Sequence, residues 1–139
     1  MDMPIGRTIK LIDEALARRA NNNLQKHNLT ITQSHMLMAL SRAEDESLSL
    51  KELEGIFRSA QSTVAGLAVR LEKKGLVTSF ADERDRRIKR IRLTDEGRAV
   101  CLCSCRRIEE TERLLVSRLT DDETAALRDM LRRVYEALQ

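Results

Sequence analysis

A chain of 139 residues is long enough for one domain with a real core and too short for two independent ones. At 42% hydrophobic and 34% charged, with a net charge of +3, one proline and five glycines, it reads as a soluble, largely helical protein. Its only aromatic residues, Phe57, Phe80 and Tyr135, are too few for the base-stacking platforms of most single-strand and RNA binders, so a nucleic-acid partner would be duplex DNA.

The N-terminus lacks the apolar run of a signal peptide, and no stretch approaches the roughly 18 apolar residues of a membrane span. A cytoplasmic protein with no membrane partner is expected. Apolar residues at Ile9, Ile12, Leu16, Ala20 and Leu24 recur near the helical period, predicting an amphipathic helix over about 5–24, its end weakened by Asn21, Asn22 and Asn23. Thr30 and Gln33 form a T-x-x-Q capping box that opens a helix over 31–42, burying Met36, Leu37 and Leu40. Residues 43–47 read as a polar connection.

Ser49 and Glu52 make a second capping box, opening a short helix to about Phe57 with Leu50, Leu53 and Ile56 toward the core. Ser59 is expected to cap a longer helix that ends at Gly75, with Lys73 and Lys74 favouring the negative end of its dipole. Residues 77–81 and 87–93 are two short strands around the polar tip at 82–86. Thr94 caps a long helix to about Leu119. Thr120 and Glu123 then open a last one, carrying Leu127, Met130, Leu131, Val134 and Leu138 at helical spacing.

The segment from 49 to 97 is therefore a helix, a short turn, a second helix and an arginine-tipped hairpin. Between residues 58 and 92, ten Lys and Arg face four Asp and Glu, a balance of +6, whereas the rest of the chain carries −3. So local a positive field marks a docking surface for a polyanion. On a helical wheel Val64, Leu67, Ala68 and Leu71 face inward, opposite Ser62, Ala65, Gly66, Val69 and Lys73. Gln61 and Ser62 can hydrogen-bond base edges, Ala65 and Val69 can meet thymine methyls, and Gly66 permits close approach; Thr63, Arg70 and Lys73 suit phosphates, and the cap Ser59 is counted among the DNA-binding residues.

Small polar residues on a helix are more often a solvated face than a reading surface, and the hairpin decides between the two. Arg84, Arg86, Arg87, Lys89, Arg90 and Arg92 fall within nine positions, a density that repels itself unless a partner neutralises it. Asp85, two positions before Arg87, can brace that guanidinium and hold it extended toward a narrow, negative minor groove.

The ordered set Leu29-Thr30-x-x-Gln33-x-x-x-Leu37-x-x-Leu40, Leu50-Lys51-Glu52-Leu53, Ser62-Thr63-Val64, residues 70–77 (RLEKKGLV) and Asp85-Arg86-Arg87-x-Lys89-x-x-x-Leu93-Thr94-x-x-Gly97 resembles the MarR family of bacterial transcriptional regulators. Individually L-T-x-x-G is weak; in this order, along about two thirds of the chain, the motifs are specific. The resemblance implies a mainly α protein with a small β-hairpin wing: a winged helix-turn-helix lobe over about 30–97, with dimerisation helices over about 5–25 and 98–139, all in one MarR-like domain. It implies that the helix after Ser59 reads the major groove and that Arg87 enters the minor groove, within a D-x-R-x-x-R pattern ending at Arg90. Ser79-Phe80 departs from the family, which often has a basic residue there.

The outer helices offer more apolar surface than one winged-helix core can cover, so a homodimer is expected. Two-fold pairing would set the recognition helices one DNA turn apart on a palindromic operator. The resemblance further implies an unidentified small-molecule ligand, bound between dimerisation helices and DNA-binding lobe, that releases a repressor. Cys101 and Cys105, at i and i+4, are candidate thiol or soft-metal sensors beside Cys103, although packing as small hydrophobes is the preferred reading. In the family, peroxide sensors carry their cysteine in the first helix, where this chain has none; zinc sensors use histidines after the wing, where this chain has cysteines. His27 and His35 are read as helix-end or packing histidines. With no phosphate loop, no H-E-x-x-H and no nucleophile placed by motif beside a histidine, neither an enzyme nor a cofactor is expected. A winged-helix protein-interaction module without DNA binding is the alternative from another class.

Overall fold

The computed structural model describes residues 2–139. Backbone proximity divides the chain into two compact units, Met1–Cys105 and Arg106–Gln139. The elements are α1 (Ile5–Lys26), α2 (Ile31–Arg42), a 3-10 turn (Glu44–Glu46), β1 (Ser47–Ser49), α3 (Leu50–Phe57), α4 (Gln61–Lys73), β2 (Val77–Ala81), β3 (Lys89–Leu93), α5 (Asp95–Leu115) and α6 (Asp121–Glu136). The architecture is mainly α with a three-stranded antiparallel sheet in the order β1-β3-β2. No helix among the described residues is long and apolar enough to cross a membrane.

One core fills the first unit: Met36, Leu37 and Leu40 of α2, Leu53 of α3, Val64, Leu67, Ala68 and Leu71 of α4, Leu76, Val77, Ile91 and Leu93 around the sheet, and Cys101 of α5. Three capping boxes form as their sequences predict, at Thr30/Gln33, Ser49/Glu52 and Thr120/Glu123. Gln33 also accepts a hydrogen bond from Lys74 Nζ at 2.9 Å, and the same ammonium donates to the Asn28 carbonyl, joining the start of α2 to the end of α4. Gly75, at φ +74, ends α4: its N–H donates to Glu72 O and that of Leu76 to Leu71 O, the paired bonds of a Schellman motif.

Several boundaries differ from expectation. The polar connection after α2 runs into a strand the sequence did not suggest, β1, whose Ser47, Leu48 and Ser49 pair with Arg92, Ile91 and Arg90. Three residues are too few to show a period, and only the partner strand makes them a strand. Arg58 adopts a left-handed conformation, φ 49, so α4 starts at Gln61 with Ala60 as an N-cap that makes no side-chain bond. Ser59 is not the cap; its hydroxyl donates to Phe57 O at 3.1 Å. Ile56 is 56% exposed, and Phe57 packs on the core instead. β3 begins at Lys89 rather than 87 because Arg86 and Arg87 belong to the tip turn. α1 continues through the three asparagines to Lys26, and α5 stops at Leu115, short of Leu119.

The L-T-x-x-G sequence has a physical cause. Thr94 N–H donates to Leu76 O at 3.1 Å, its hydroxyl donates to Gly75 O at 2.6 Å and accepts from Gly97 N–H at 3.1 Å. A Cβ on Gly97 would stand 2.0 Å from that same Leu76 carbonyl oxygen. Only glycine lets α5 lie this close to the turn leaving α4. Gly97→Ala is expected to destabilise the protein by about 1–3 kcal/mol, since backbone rather than a flexible side chain must move. Urea unfolding reads this as a lowered midpoint at unchanged slope; an unchanged midpoint would mean that the seam yields freely.

Candidate nucleic-acid interface

α3, the turn at Arg58 and Ser59, and α4 form a helix-turn-helix in which α4 buries Val64, Leu67, Ala68 and Leu71. That fixes its other face. Gln61, Ser62, Thr63, Val69, Arg70 and Lys73 are exposed, Ala65 and Gly66 partly so. A Cβ on Gly66 would meet nothing within 4 Å, so packing does not require glycine there. A mid-helix glycine is nevertheless less stable than alanine by roughly 0.5–1 kcal/mol. What Gly66 provides is a strip of backbone that another surface can approach.

The wing tip is built by two aspartates. Asp82 Oδ1 accepts the N–H groups of Arg84 at 2.8 Å and Asp85 at 3.2 Å, and the turn is closed by Asp82 N–H to Ile88 O and Ile88 N–H to Asp85 O. Asp85 then grips Arg87 through three bonds: Oδ1 accepts from its N–H at 3.1 Å and Nε at 3.0 Å, Oδ2 from Nη2 at 3.1 Å. The side chain of Arg87 is still 89% exposed. The guanidinium, and behind it the Arg87 amide, hold the Asp85 carboxyl below its ordinary pKa, while Asp85 raises that of Arg87. The pair is therefore charged near neutral pH, and is lost only as pH falls through that depressed carboxyl value. Arg84, Arg86 and Lys89 stand exposed around it.

A profile of the MarR family matches residues 29–89, from the start of α2 to the wing. The multiple antibiotic resistance protein MarR of Salmonella typhimurium is 27% identical over 133 residues, 95% of this chain and 91% of that protein. A crystal structure of the Staphylococcus aureus MepR–DNA complex superposes with a TM-score of 0.89 at 25% identity, covering 96% of this chain and 99% of that one. The chain is similar to the MarR family over residues 29–89, and to these individual relatives over nearly its whole length. S. aureus MepR bound to ethidium bromide is similar too, with a TM-score of 0.83 at 25% identity over 99% of this chain and 98% of that one.

In this chain the basic residues of the hairpin are not equivalent. Arg90 is only 21% exposed and turns back beneath the wing, unlike Arg84, Arg86, Arg87 and Lys89. Arg92 pairs with Asp45 at 3.2 Å and lies 4.4 Å above the Phe80 ring. Ser79, where the family often has a base, gives both its N–H and its hydroxyl to the Glu72 carboxylate. Sequence reasoning missed Asp82, although an aspartate two residues before a second turn is a recognisable Asx-turn signal.

The cysteines are all free, with Cys101 buried and Cys103 and Cys105 half-buried. Among the described residues no group of three or more His, Cys, Asp or Glu side chains converges as metal ligands. Cys101, 6% exposed, lies 3.5 Å from the Leu37 carbonyl, and burial first, then the neighbouring Cys105 and Glu46, push its thiol pKa up. This disfavours the reactive thiolate. In the native protein at pH 7.5, Cys101 should resist a thiol reagent such as DTNB until the chain unfolds. Mass spectrometry of the labelled peptide checks this, and prompt native labelling of Cys101 would reopen its role as a sensor.

Proposed function

We propose that this protein is a MarR-family transcriptional regulator that reads duplex DNA as a homodimer, placing α4 in the major groove and Arg87 in the minor groove. The observation that carries this reading is Arg87, gripped three ways by Asp85 and left almost wholly exposed at the tip of the wing. Ordering an arginine this way is of use only to a partner surface, and its partner is negative. Gln61, Ser62, Ala65, Gly66 and Val69 take the base edges; Ser59, Thr63, Arg70, Lys73, Arg84, Arg86 and Lys89 take phosphates. MepR, similar across nearly the whole chain, has been solved on DNA, which supports the same mode here.

Dimerisation rests on exposed apolar surface. No residue of α1 or α6 is buried, yet α1 exposes Ile5, Ile9 and Ile12, and α6 exposes Met130, Leu131 and Val134, followed by Leu138. A second copy is the simplest cover, so the winged-helix lobe at about 30–97 is one half of a two-fold reader, and a palindromic operator with half-sites about 34–36 Å apart follows. We read the protein as a repressor released by a small molecule. MepR bound to ethidium bromide supports the ligand in kind without naming it for this chain.

The test is DNA selected by the protein from a randomised duplex pool, followed by anisotropy titration across salt. A symmetric site and steep salt dependence are expected; salt-insensitive or absent binding would sink the proposal. Arg87→Ala should weaken operator binding at least tenfold with the fold intact. Gly66→Ala should shift two readouts in opposite directions, raising stability by about 0.5–1 kcal/mol while weakening operator binding. Equal operator affinity for Gly66→Ala would remove α4 from the base edges.

A further inference from the structure

Of the six basic residues in the hairpin, Arg90 alone is half-buried, and its head is engaged by three different elements of the fold. Its Nη2 donates to Ser47 Oγ at 3.1 Å and to Ser47 O at 3.4 Å, and its Nη1 lies 3.6 Å from Asp82 Oδ2 and 3.8 Å from Glu52 Oε2. Each of these partners holds a different part of the lobe. Ser47 is buried on the edge strand β1. Asp82, itself 22% exposed, starts the tip turn by accepting the Arg84 and Asp85 amides. Glu52 accepts the Ser49 N–H at 2.7 Å and so closes the capping box at the start of α3, the first helix of the helix-turn-helix.

We propose that Arg90 is a positioning residue rather than a DNA contact: its guanidinium ties the base of the wing to β1 and to the start of α3, and thereby sets where Arg87 stands relative to α4. A phosphate would have to draw this group away from two carboxylates and a serine that already satisfy it, and in leaving them it would release the turn that presents Arg87. Its hydrogen bonds go to Ser47 and give the guanidinium its direction, while the two carboxylates stand at ion-pair distance on its other side. The inference rests on the reading of the wing as a DNA contact and revises it at one residue.

Three variants separate the roles, using the duplex selected above and a mixed-sequence duplex of equal length. Arg87→Ala, a lost contact, should flatten the slope of log K against log salt by about 0.9. Arg90→Gln should weaken operator binding at least tenfold at unchanged slope, leave mixed-sequence binding near wild type, and speed amide exchange at Arg84, Asp85 and Ile88 in the free protein. Asp82→Asn supplies a difference of sign and does not depend on how well Arg90→Gln folds. If Arg90 positions the wing through Asp82, removing that carboxylate weakens operator binding. If Arg90 binds phosphate, removing a competing anion strengthens it.

A slope lowered by about 0.9 in Arg90→Gln, tighter binding by Asp82→Asn, or tip amides protected as in wild type would overturn the proposal. Absent salt-dependent binding by the wild-type protein would instead reject the DNA reading itself. The amide exchange, measured without DNA, still tests the brace in that case.

Discussion

The first unit depends on the alternation along β3. Ile91 and Leu93 are buried, so Arg90 and Arg92 must lie on the other face, and both neighbouring strands take their register from this one. A slip of one residue would bury two guanidiniums and expose the core pair, which makes the register strongly specified. Because β1 precedes α3 and β2 follows α4, fixing β3 between them also fixes both ends of the helix-turn-helix. α4 is held by a sheet whose own order comes from two aliphatic side chains.

The same constraint sorts the arginines into separate roles. Arg87 lies beyond the end of the strand, in a turn set by Asp82 and Asp85, and no pleat dictates where its head goes; Asp85 does. Arg90, inside the strand, is turned under the wing toward Ser47, Asp82 and Glu52, and Arg92 covers Phe80. Three residues of one chemical type, within six positions, thus differ in how much of each charge reaches solvent, from 89% for Arg87 through 45% for Arg92 to 21% for Arg90. At the other end of β3, the contact of Gly97 with the Leu76 carbonyl ties α5 to the turn leaving α4, so the strand that shapes the wing also anchors the start of the long helix.

The helices outside this lobe show the opposite economy. α1 and α6 have no buried residue, and Ile5, Ile9 and Ile12 of the first and Met130, Leu131 and Val134 of the second stand exposed, while Leu16, Leu24 and Leu127 are half-buried. Exposed apolar residues at helical spacing are what the proposed second copy would cover. By contrast, the cysteine cluster on α5 loses its prominence once burial is known, because Cys101 behaves as a small core residue against α2.

Local chemistry made much of this legible in the sequence. Three capping boxes, the α4 core face, the Gly75 stop, strand β2 and the pairing of Asp85 with Arg87 each involve residues within seven positions of one another, so spacing alone determined them. What spacing cannot carry is a contact whose partner is remote. β1 is a strand only because β3 lies beside it, forty-odd positions away; Arg90 is inward-turned only because Ser47 and Glu52 are there to receive it; and Phe57 rather than Ile56 packs on the core. The sequence by itself determined that a helix-turn-helix and a basic hairpin would form, because both rest on local hydrogen bonds and periodic burial. Tertiary structure alone decided which of the hairpin's charges remain for a partner, because that depends on acceptors folding brings from elsewhere in the chain.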